Sequence, residues 1–261
     1  MRRKTIEGAC KICGKWATLT FEHVPPQAAF NDFKYAELHA EEVIKLVSED
    51  NRMPWDTSGL KKVYKQGGTG GYFLCRACNN NFGIWYVKEY VKFVYTLHNI
   101  LLENDIRKLN QLTLEIQQLK PLRIFKSILA MFCDINNDCF GDNELREFLI
   151  NKRAVDFNKS RYRVFAYLWA GGYQRRNGLS GILTENGETT VVSEISSYPI
   201  GFVLSLNHPN TKPLRTFEIT NMADFDYDEM TDMVFDLPVN QCQTPFPLDF
   251  RTQADIKNQI L

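Results

Sequence analysis

The chain has 261 residues, of which 44% are hydrophobic, so it is long enough for one large domain or two small ones that each bury a core. It contains 31 basic and 31 acidic residues, which excludes a strongly basic or strongly acidic protein. It has no run of eighteen uncharged apolar residues, and its first residues lack the pattern of a signal peptide. We therefore expect a cytoplasmic protein without a membrane segment.

The charges are distributed unevenly along the chain. Residues 1–130 hold 19 basic and 13 acidic residues, a net charge of +6, whereas the remainder holds 12 and 18, a net charge of −6. A basic half beside an acidic half is typical of a polyanion-binding module joined to a region that does not touch the polyanion. A bias of six charges is modest, and many proteins without a nucleic-acid role show as much.

Four of the seven cysteines form two Cys-x-x-Cys pairs, Cys10 with Cys13 and Cys75 with Cys78. Two residues between cysteines allow one tight turn to place both thiolates on the same ion, and two such turns complete a tetrahedral site. An odd cysteine count in an intracellular protein indicates metal binding rather than a disulfide framework. The sequence therefore predicts a structural Zn²⁺ site that ties the ends of a hairpin together.

Residues 30–66, between the two cysteine pairs, have the character of an insertion. Their mixed apolar and acidic positions predict one short helix, Ala36 to Val47. The glycine-rich segment Gln66 to Gly71 is the strongest turn signal in the sequence, and it leads into Tyr72 to Leu74, a run typical of a strand. We expect the second cysteine pair to follow directly after this turn and strand.

Helical periodicity begins after Cys78 and continues, with interruptions, towards Leu119. Lys120 and Pro121 open a further helix, Leu122 to Asp134, which we predict to be the central buried helix because its apolar residues lie on one side. We interpret the aromatic residues of the first stretch as core packing rather than base stacking. The apolar residues that recur there at spacings of three and four are Phe82, Tyr86, Tyr90, Phe93 and Leu97.

The C-terminal half changes to short runs typical of β-strands, separated by turn residues such as Asn186 and Gly187. These runs predict a mostly antiparallel sheet. The predicted fold class is α+β, with an N-terminal module over residues 1–100, a helical segment over 101–150 and a β-rich domain over 151–261. The predicted strands are Tyr162 to Trp169, Leu179 to Leu183, Thr189 to Glu194, Gly201 to Leu206 and Leu214 to Ile219.

Residues that can carry chemistry accompany the cysteine pairs. Glu22 and His23 precede a Val-Pro-Pro sequence, and Asn79 directly follows the last cysteine of the second pair. This arrangement resembles the HNH (ββα-metal) endonucleases, particularly the zinc-containing kind to which phage recombination endonuclease VII belongs. The resemblance covers about residues 9–90 and implies a zinc-stapled ββα-metal module that hydrolyses DNA phosphodiester bonds, with antiphage defence as one setting.

The resemblance also implies a role for each residue. Glu22 would give a carboxylate oxygen, and Asn79 an amide oxygen, to one divalent cation. His23, neutral near pH 7, would take a proton from the attacking water. Hard oxygen ligands favour Mg²⁺ or Mn²⁺ at this catalytic site, whereas the thiolates select Zn²⁺.

The adjacency of Glu22 and His23 sets a structural condition. Successive side chains of a regular strand point to opposite faces, so both residues reach one site only where the strand ends or bulges. The following Val24 to Pro26 supplies such a break, because proline removes ladder donors and forces an extended exit.

The sequence departs from the family pattern in three places. The middle asparagine of the family falls on Gly70, so we expect a backbone carbonyl of the second strand to accept the Nδ1 proton of His23 instead. Asn79 stands where the family usually has a third histidine, and Glu22 replaces the commoner aspartate. These changes leave a non-catalytic zinc-dependent nucleic-acid-binding module as an alternative.

The partner expected from the resemblance is DNA, and an RNA-cleaving effector remains an alternative because such sites act through phosphate. Arg76, Lys15 and Lys88 are the candidate phosphate contacts. For residues 151–261, dimerisation, target selection and docking to a partner protein all stay open, with a homodimer ranked first.

Overall fold

The computed structural model describes residues 5–50, 52–136, 138–183, 189–206 and 215–260, and within these ranges the chain is a mixed α+β protein. The strands are β1 (Glu7–Ala9), β2 (Trp16–His23), β3 (Tyr35–Glu37), β4 (Val63–Lys65), β5 (Gly70–Cys75), β6 (Gln111–Leu119), β7 (Tyr162–Gly172), β8 (Arg175–Leu183), β9 (Thr189–Ser196), β10 (Ile200–Leu206), β11 (Phe217–Glu218) and β12 (Thr231–Cys242). The helices are α1 (Ala40–Glu49), α2 (Arg76–Phe82), α3 (Lys88–Leu102), α4 (Pro121–Ile135), α5 (Asn143–Ile150) and α6 (Gln253–Ile260).

The N-terminal region is a small antiparallel sheet with the strand order β1-β2-β5. β5 ends at Cys75 and α2 begins at the next residue, so the second cysteine pair lies across the junction between a strand and a helix. α2 packs on β2 and β5, and a single π-helical turn, Gly83–Val87, joins it to α3. The aromatic stripe predicted after Cys78 lies on this continuous helical segment, and its members are buried.

The segment between β2 and β5 contains a strand pair and one helix. The prediction of a helix over Ala36 to Val47 is wrong at its start, because Tyr35–Glu37 is a strand that pairs with Val63–Lys65. A cross-strand ion pair of 2.7 Å between Lys65 Nζ and a carboxylate oxygen of Glu37 contributes to this pairing. The helix itself is confirmed four residues later, at Ala40–Glu49.

α4 is the central helix, as the sequence predicts. Proline stands at its first turn, where no intrahelical partner for a backbone N–H is needed. Thirteen of its fifteen residues are buried, so the helix is enclosed on nearly all sides rather than along one stripe. It packs against the π-helical turn, α3 and the strands β8 and β9.

The prediction that helical periodicity continues towards Leu119 is wrong, because Gln111–Leu119 is strand β6. Its buried residues Leu114 and Ile116 alternate with exposed neighbours, which is the period of a strand with one buried face. β6 pairs antiparallel with β12, where Leu114 lies opposite Phe235. The predicted helical segment over 101–150 therefore contains an edge strand of the C-terminal sheet.

The C-terminal sheet has the strand order β6-β12-β7-β10-β9-β8, and β11 pairs with β7. Every pairing in it is antiparallel except that between β12 and β7, which confirms a mostly antiparallel sheet. Four of the predicted strands are confirmed as β7 to β10. The predicted strand over Leu214 to Ile219 is reduced to Phe217–Glu218, while Leu214 and the turn residues Asn186 and Gly187 lie outside the described residues.

One hydrophobic core connects these elements. It extends from Cys10 and Ile12 through the aromatic residues of α3 and the buried side of α4 to Phe235 and Val239 of β12. Residues from all three predicted segments contribute to it. The hairpin of β2 and β5, named the zinc hairpin after the metal predicted for its four cysteines, is therefore packed against the rest of the protein. Among the described residues, no helix combines the length and apolar character required to cross a membrane.

Candidate metal and catalytic site

The first candidate site is the cluster of Cys10, Cys13, Cys75 and Cys78. Their four sulfur atoms lie within 4.8 Å of one another, and the Sγ atoms of Cys13 and Cys75 are 3.9 Å apart. Tetrahedral zinc with Zn–S bonds of about 2.3 Å requires sulfur atoms about 3.8 Å apart. The cluster could therefore hold a metal ion such as zinc, as the spacing predicts.

The first cysteine turn is built by backbone hydrogen bonds. The N–H of Gly14 donates to the carbonyl of Cys10 over 2.8 Å, and the N–H of Cys10 donates to the carbonyl of Lys15 over 2.9 Å. Gly14 has φ of +70°, a left-handed conformation that glycine adopts without steric cost, so the turn can bring both thiols to one side. The second pair uses the end of β5 and the start of α2 instead.

Four neighbouring thiols cannot all be ionised unless a positive charge lies among them. The hydrogen bond with Cys10 raises the pKa of Cys78, while the same bond lowers the pKa of Cys10 to about 4. One thiolate in the cluster thus hinders ionisation of the next. A bound cation would reverse this repulsion, because the positive charge favours the thiolate form of every ligand.

The second candidate site is a small cavity of about 20 Å³ between the hairpin of β2 and β5 and helix α4. Glu22, His23 and Asn79 all line it, so the structure brings the three predicted catalytic residues together. Its other walls come from α2, the π-helical turn and the face of α4 that carries Ser127, Ala130, Met131 and Asp134.

Glu22 and His23 both line this one cavity at the point where β2 ends. The pairing of β2 with β5 shifts register between Thr20 and Phe21, and the strand ends at His23. The chain then leaves through two buried prolines. The condition that the sequence sets for adjacent side chains is therefore met by the strand end, and the extra residue at the register shift is Phe73 of β5.

Glu22 is enclosed by the cavity walls. Burial raises its pKa from 4.5 to about 7, because removal from water disfavours the charged carboxylate. Among the described residues, no ion pair with a basic side chain offsets this cost.

Asn79 is held by its amide nitrogen. Its Nδ2 donates to Thr20 Oγ1 over 2.9 Å, and Thr20 Oγ1 donates to the carbonyl of Leu74 over 2.8 Å. This chain of bonds across the hairpin orients the amide, so the oxygen Oδ1 is the atom of the side chain that a cation would use.

His23 forms a 2.9 Å hydrogen bond between its Nε2 and the carbonyl of Gly67. A carbonyl only accepts, so Nε2 carries the proton and Nδ1 is the nitrogen with a lone pair. The sequence predicts the opposite nitrogen and a carbonyl of the second strand, and both details are wrong. The accepting carbonyl belongs to Gly67, which lies in the turn before β5 and not in β5 itself.

No side chain fits at Gly70, the position of the family's middle asparagine. A Cβ atom there would lie 2.2 Å from the carbonyl oxygen of Glu22. A residue that sequence reasoning missed holds this region instead. Asn31 is buried; its Nδ2 donates to the carbonyls of Pro25 and Thr69, and its Oδ1 accepts from the N–H of Thr69.

Asn31 thereby joins the exit of β2 to the turn that carries Gly67. The turn cannot shift without breaking several buried hydrogen bonds, so the carbonyl that orients His23 stays in place. No local sequence signal identifies Asn31, because its partners are contributed by a turn 38 residues further along the chain.

Asp134 is the second residue that sequence reasoning missed. It is 4% exposed, lines the cavity and has one carboxylate oxygen, Oδ1, without a hydrogen-bond partner in the described part of the chain. Burial and, next, the neighbouring Glu22 raise its pKa well above the usual value. The available signal is an acidic residue at the end of the predicted central buried helix.

The candidate phosphate contacts do not reach the cavity. Lys15, Arg76 and Lys88 are exposed, and none of them belongs to its lining. Lys15 precedes β2 and Arg76 begins α2, so both lie on the outside of the zinc hairpin. Their contact with phosphate stays a prediction.

Comparison of the chain with protein family models, curated proteins and solved structures finds no match. The cavity itself combines two carboxyl groups, one amide oxygen and one imidazole. This set of donors suits a hard divalent cation together with a base for proton transfer.

Proposed function

We propose that the protein is a metal-dependent endonuclease that hydrolyses DNA phosphodiester bonds. The observation that carries this proposal is the convergence of Glu22, His23 and Asn79 on one cavity beside the four-cysteine cluster. Two hydrogen bonds orient these side chains, from His23 to the Gly67 carbonyl and from Asn79 to the Thr20 hydroxyl, and Glu22 lies beside them at the end of β2. A catalytic site requires such fixed orientations.

The carboxylate of Glu22 and the amide oxygen of Asn79 would hold Mg²⁺ or Mn²⁺, since both are hard oxygen ligands. When bound, the cation supplies stabilisation of the negative charge that develops on the phosphate. The scissile phosphate would lie at the mouth of the cavity, because Tyr86, Met131 and the other walls leave little room inside.

His23 would act as the general base. With Nε2 donating to Gly67, its Nδ1 can accept a proton from the water that attacks phosphorus. The backbone carbonyl keeps the ring oriented and stabilises the positive charge that the imidazole gains. The cysteine cluster takes no part in proton transfer and supports the hairpin on which His23 lies.

The test compares the wild type with His23→Ala and with His39→Ala, a matched control at an exposed histidine that lies outside this cavity. Supercoiled plasmid and single-stranded RNA would be incubated separately with each zinc-loaded protein and Mg²⁺ or Mn²⁺. We expect DNA cleavage by the wild type and the control, and a loss of about 100-fold or more in His23→Ala. Equal cleavage by His23→Ala would reject the proposal, and cleavage of RNA alone would change the substrate.

A further inference from the structure

We infer that Asp134 is a third protein ligand of the cavity's divalent cation, so that two carboxylates and one amide oxygen surround it. The assignment rests on the proposed function, because the cation site is the one that Glu22 and Asn79 would form. It adds a ligand from α4, which lies outside the residues 9–90 that carry the predicted motif.

The placement of Asp134 follows from the periodicity of α4. Ser127, Ala130, Met131 and Asp134 stand at positions i, i+3, i+4 and i+7, so they occupy one face of the helix, and all four line the cavity. Three of them are small or apolar. Asp134 is thus the acidic group that this face contributes to the cavity that Glu22 and Asn79 also line.

The hydrogen bonding of Asp134 points to a missing ligand. Buried carboxylate oxygens in folded proteins nearly always have a donor, and Oδ1 of this 4% exposed residue has none among the described residues. Its acidic neighbour Glu22 makes matters worse, since two carboxylates in one enclosed space repel each other. A cation between the two carboxylates would give Oδ1 of Asp134 a partner and would offset their repulsion.

A divalent cation fits this environment better than a basic side chain or a water molecule. Two carboxylates and an amide oxygen are the donor types that Mg²⁺ and Mn²⁺ prefer, and the remaining coordination positions could face the open mouth. A water could donate to Oδ1, but it would not stabilise the ionised form of two neighbouring carboxyl groups, which burial disfavours. The pair of carboxylates is matched by a charge of +2.

The experiment measures Mn²⁺ binding directly, by electron paramagnetic resonance and calorimetry, on full-length protein loaded with zinc. The variants are Asp134→Asn, Glu22→Gln and the matched control Asp156→Asn, which changes an exposed aspartate outside the cavity. We expect one Mn²⁺ per chain in the wild type and the control, and affinity lower by at least tenfold in Asp134→Asn. Thermal melting with and without Mn²⁺ provides a second readout: Mn²⁺ should raise the Tm of the wild type far more than that of Asp134→Asn.

Unchanged Mn²⁺ affinity in Asp134→Asn, or no Mn²⁺ binding by the wild type, overturns the inference. Asp134→Asn keeps the size and shape of the side chain, so we expect it to fold, and its metal-free melting curve checks this. The fate of the nuclease proposal is measured separately. If Mn²⁺ binding depends on Asp134 but DNA is not cleaved, the cation site is supported and the nuclease proposal is rejected. If DNA is cleaved but Mn²⁺ binding does not depend on Asp134, the nuclease proposal is supported and the role of Asp134 is rejected.

Discussion

Two buried groups of charged side chains in this protein differ in how completely they are paired. In the C-terminal sheet, Arg175 Nη2 lies 2.7 Å from Glu194 Oε1, and their side chains are 2% and 0% exposed. Tyr167 and the N–H of Leu248 also donate to Glu194, while backbone carbonyls accept from Arg175. This group is electrically balanced and has its hydrogen bonds filled.

The cavity beside the zinc hairpin shows the opposite situation. Burial raises the pKa of both Glu22 and Asp134, neither forms an ion pair among the described residues, and one oxygen of Asp134 has no donor. A buried charge is tolerated when it is paired and hydrogen-bonded, and is costly otherwise. The sheet therefore contains a finished structural element, whereas the cavity has the features of a site that a ligand completes.

The cysteine cluster consists of four groups that are all negative when ionised. Loss of its cation should therefore lower the stability of the fold more than any other change considered. We expect Cys10→Ser to lose zinc and to unfold at a much lower temperature, since structural zinc binding contributes on the order of 10 kcal/mol to folding in small zinc modules. Metal analysis and thermal melting check this. Cys242→Ser is the control, because Cys242 is buried in the sheet and should leave the zinc content unchanged.

If Cys10→Ser retains one zinc per chain and the wild-type Tm, the four sulfurs do not form a metal site. Treatment of the wild type with a strong chelator offers a second way to the same result. It should lower the Tm without any change of sequence.

The parts of the fold that the sequence predicts correctly are those determined by near neighbours along the chain. Cys-x-x-Cys turns, the apolar period of α4 and the runs of β7 to β10 are local patterns. β12 is not among the strands predicted from the sequence, and it contains a proline, Pro238, which cannot donate a ladder hydrogen bond. The structure shows that Pro238 lies where β12 ends its pairing with β6 and begins to pair with β7, so the missing N–H costs little.

The site was predicted where the motif is compact and missed where its residues come from distant segments. Glu22, His23 and Asn79 follow from two short blocks, and they do meet in one cavity. Asn31 and Asp134 act on residues that are far away in sequence; Asn31 has no local signature, and the position of Asp134 in the predicted central helix does not show which residues it faces. Residue spacing does not determine the path of the turn that carries Gly67. It therefore could not predict which ring nitrogen of His23 forms the hydrogen bond.

Breaking the finished pair in the sheet should have the next largest effect. We expect Arg175→Met to lower the free energy of unfolding by about 3–5 kcal/mol, because Glu194 would keep a buried charge without its partner. The control is Arg176→Met, whose ion pair with Glu37 is partly exposed and should contribute about 1 kcal/mol or less. Urea denaturation measures both. A loss as small for Arg175 as for Arg176 would mean that the buried pair is not required for stability.

The smallest expected effect is a dependence of stability on pH that comes from Glu22. Its pKa is about 7 in the folded protein and near 4.5 in the unfolded chain, so between these values the folded state binds the extra proton. Stability from this group is therefore greatest below pH 4.5, falls as the pH rises to about 7 and is constant above it. The expected fall is about 2–3 kcal/mol in protein free of divalent cations other than zinc.

Glu22→Gln removes this titration, so the difference in unfolding free energy between wild type and variant isolates it from other groups. The exposed Glu49→Gln is the control and should follow the wild type. At pH 7.5, Mn²⁺ should restore the stability that the wild type has lost and leave Glu22→Gln nearly unchanged, because the cation replaces the proton as the partner of the carboxylate. Parallel pH curves for wild type and Glu22→Gln would show that this carboxyl group ionises as freely as one in water. In that case Glu22 would need no neighbouring positive charge, whereas Glu194 is buried beside one on Arg175.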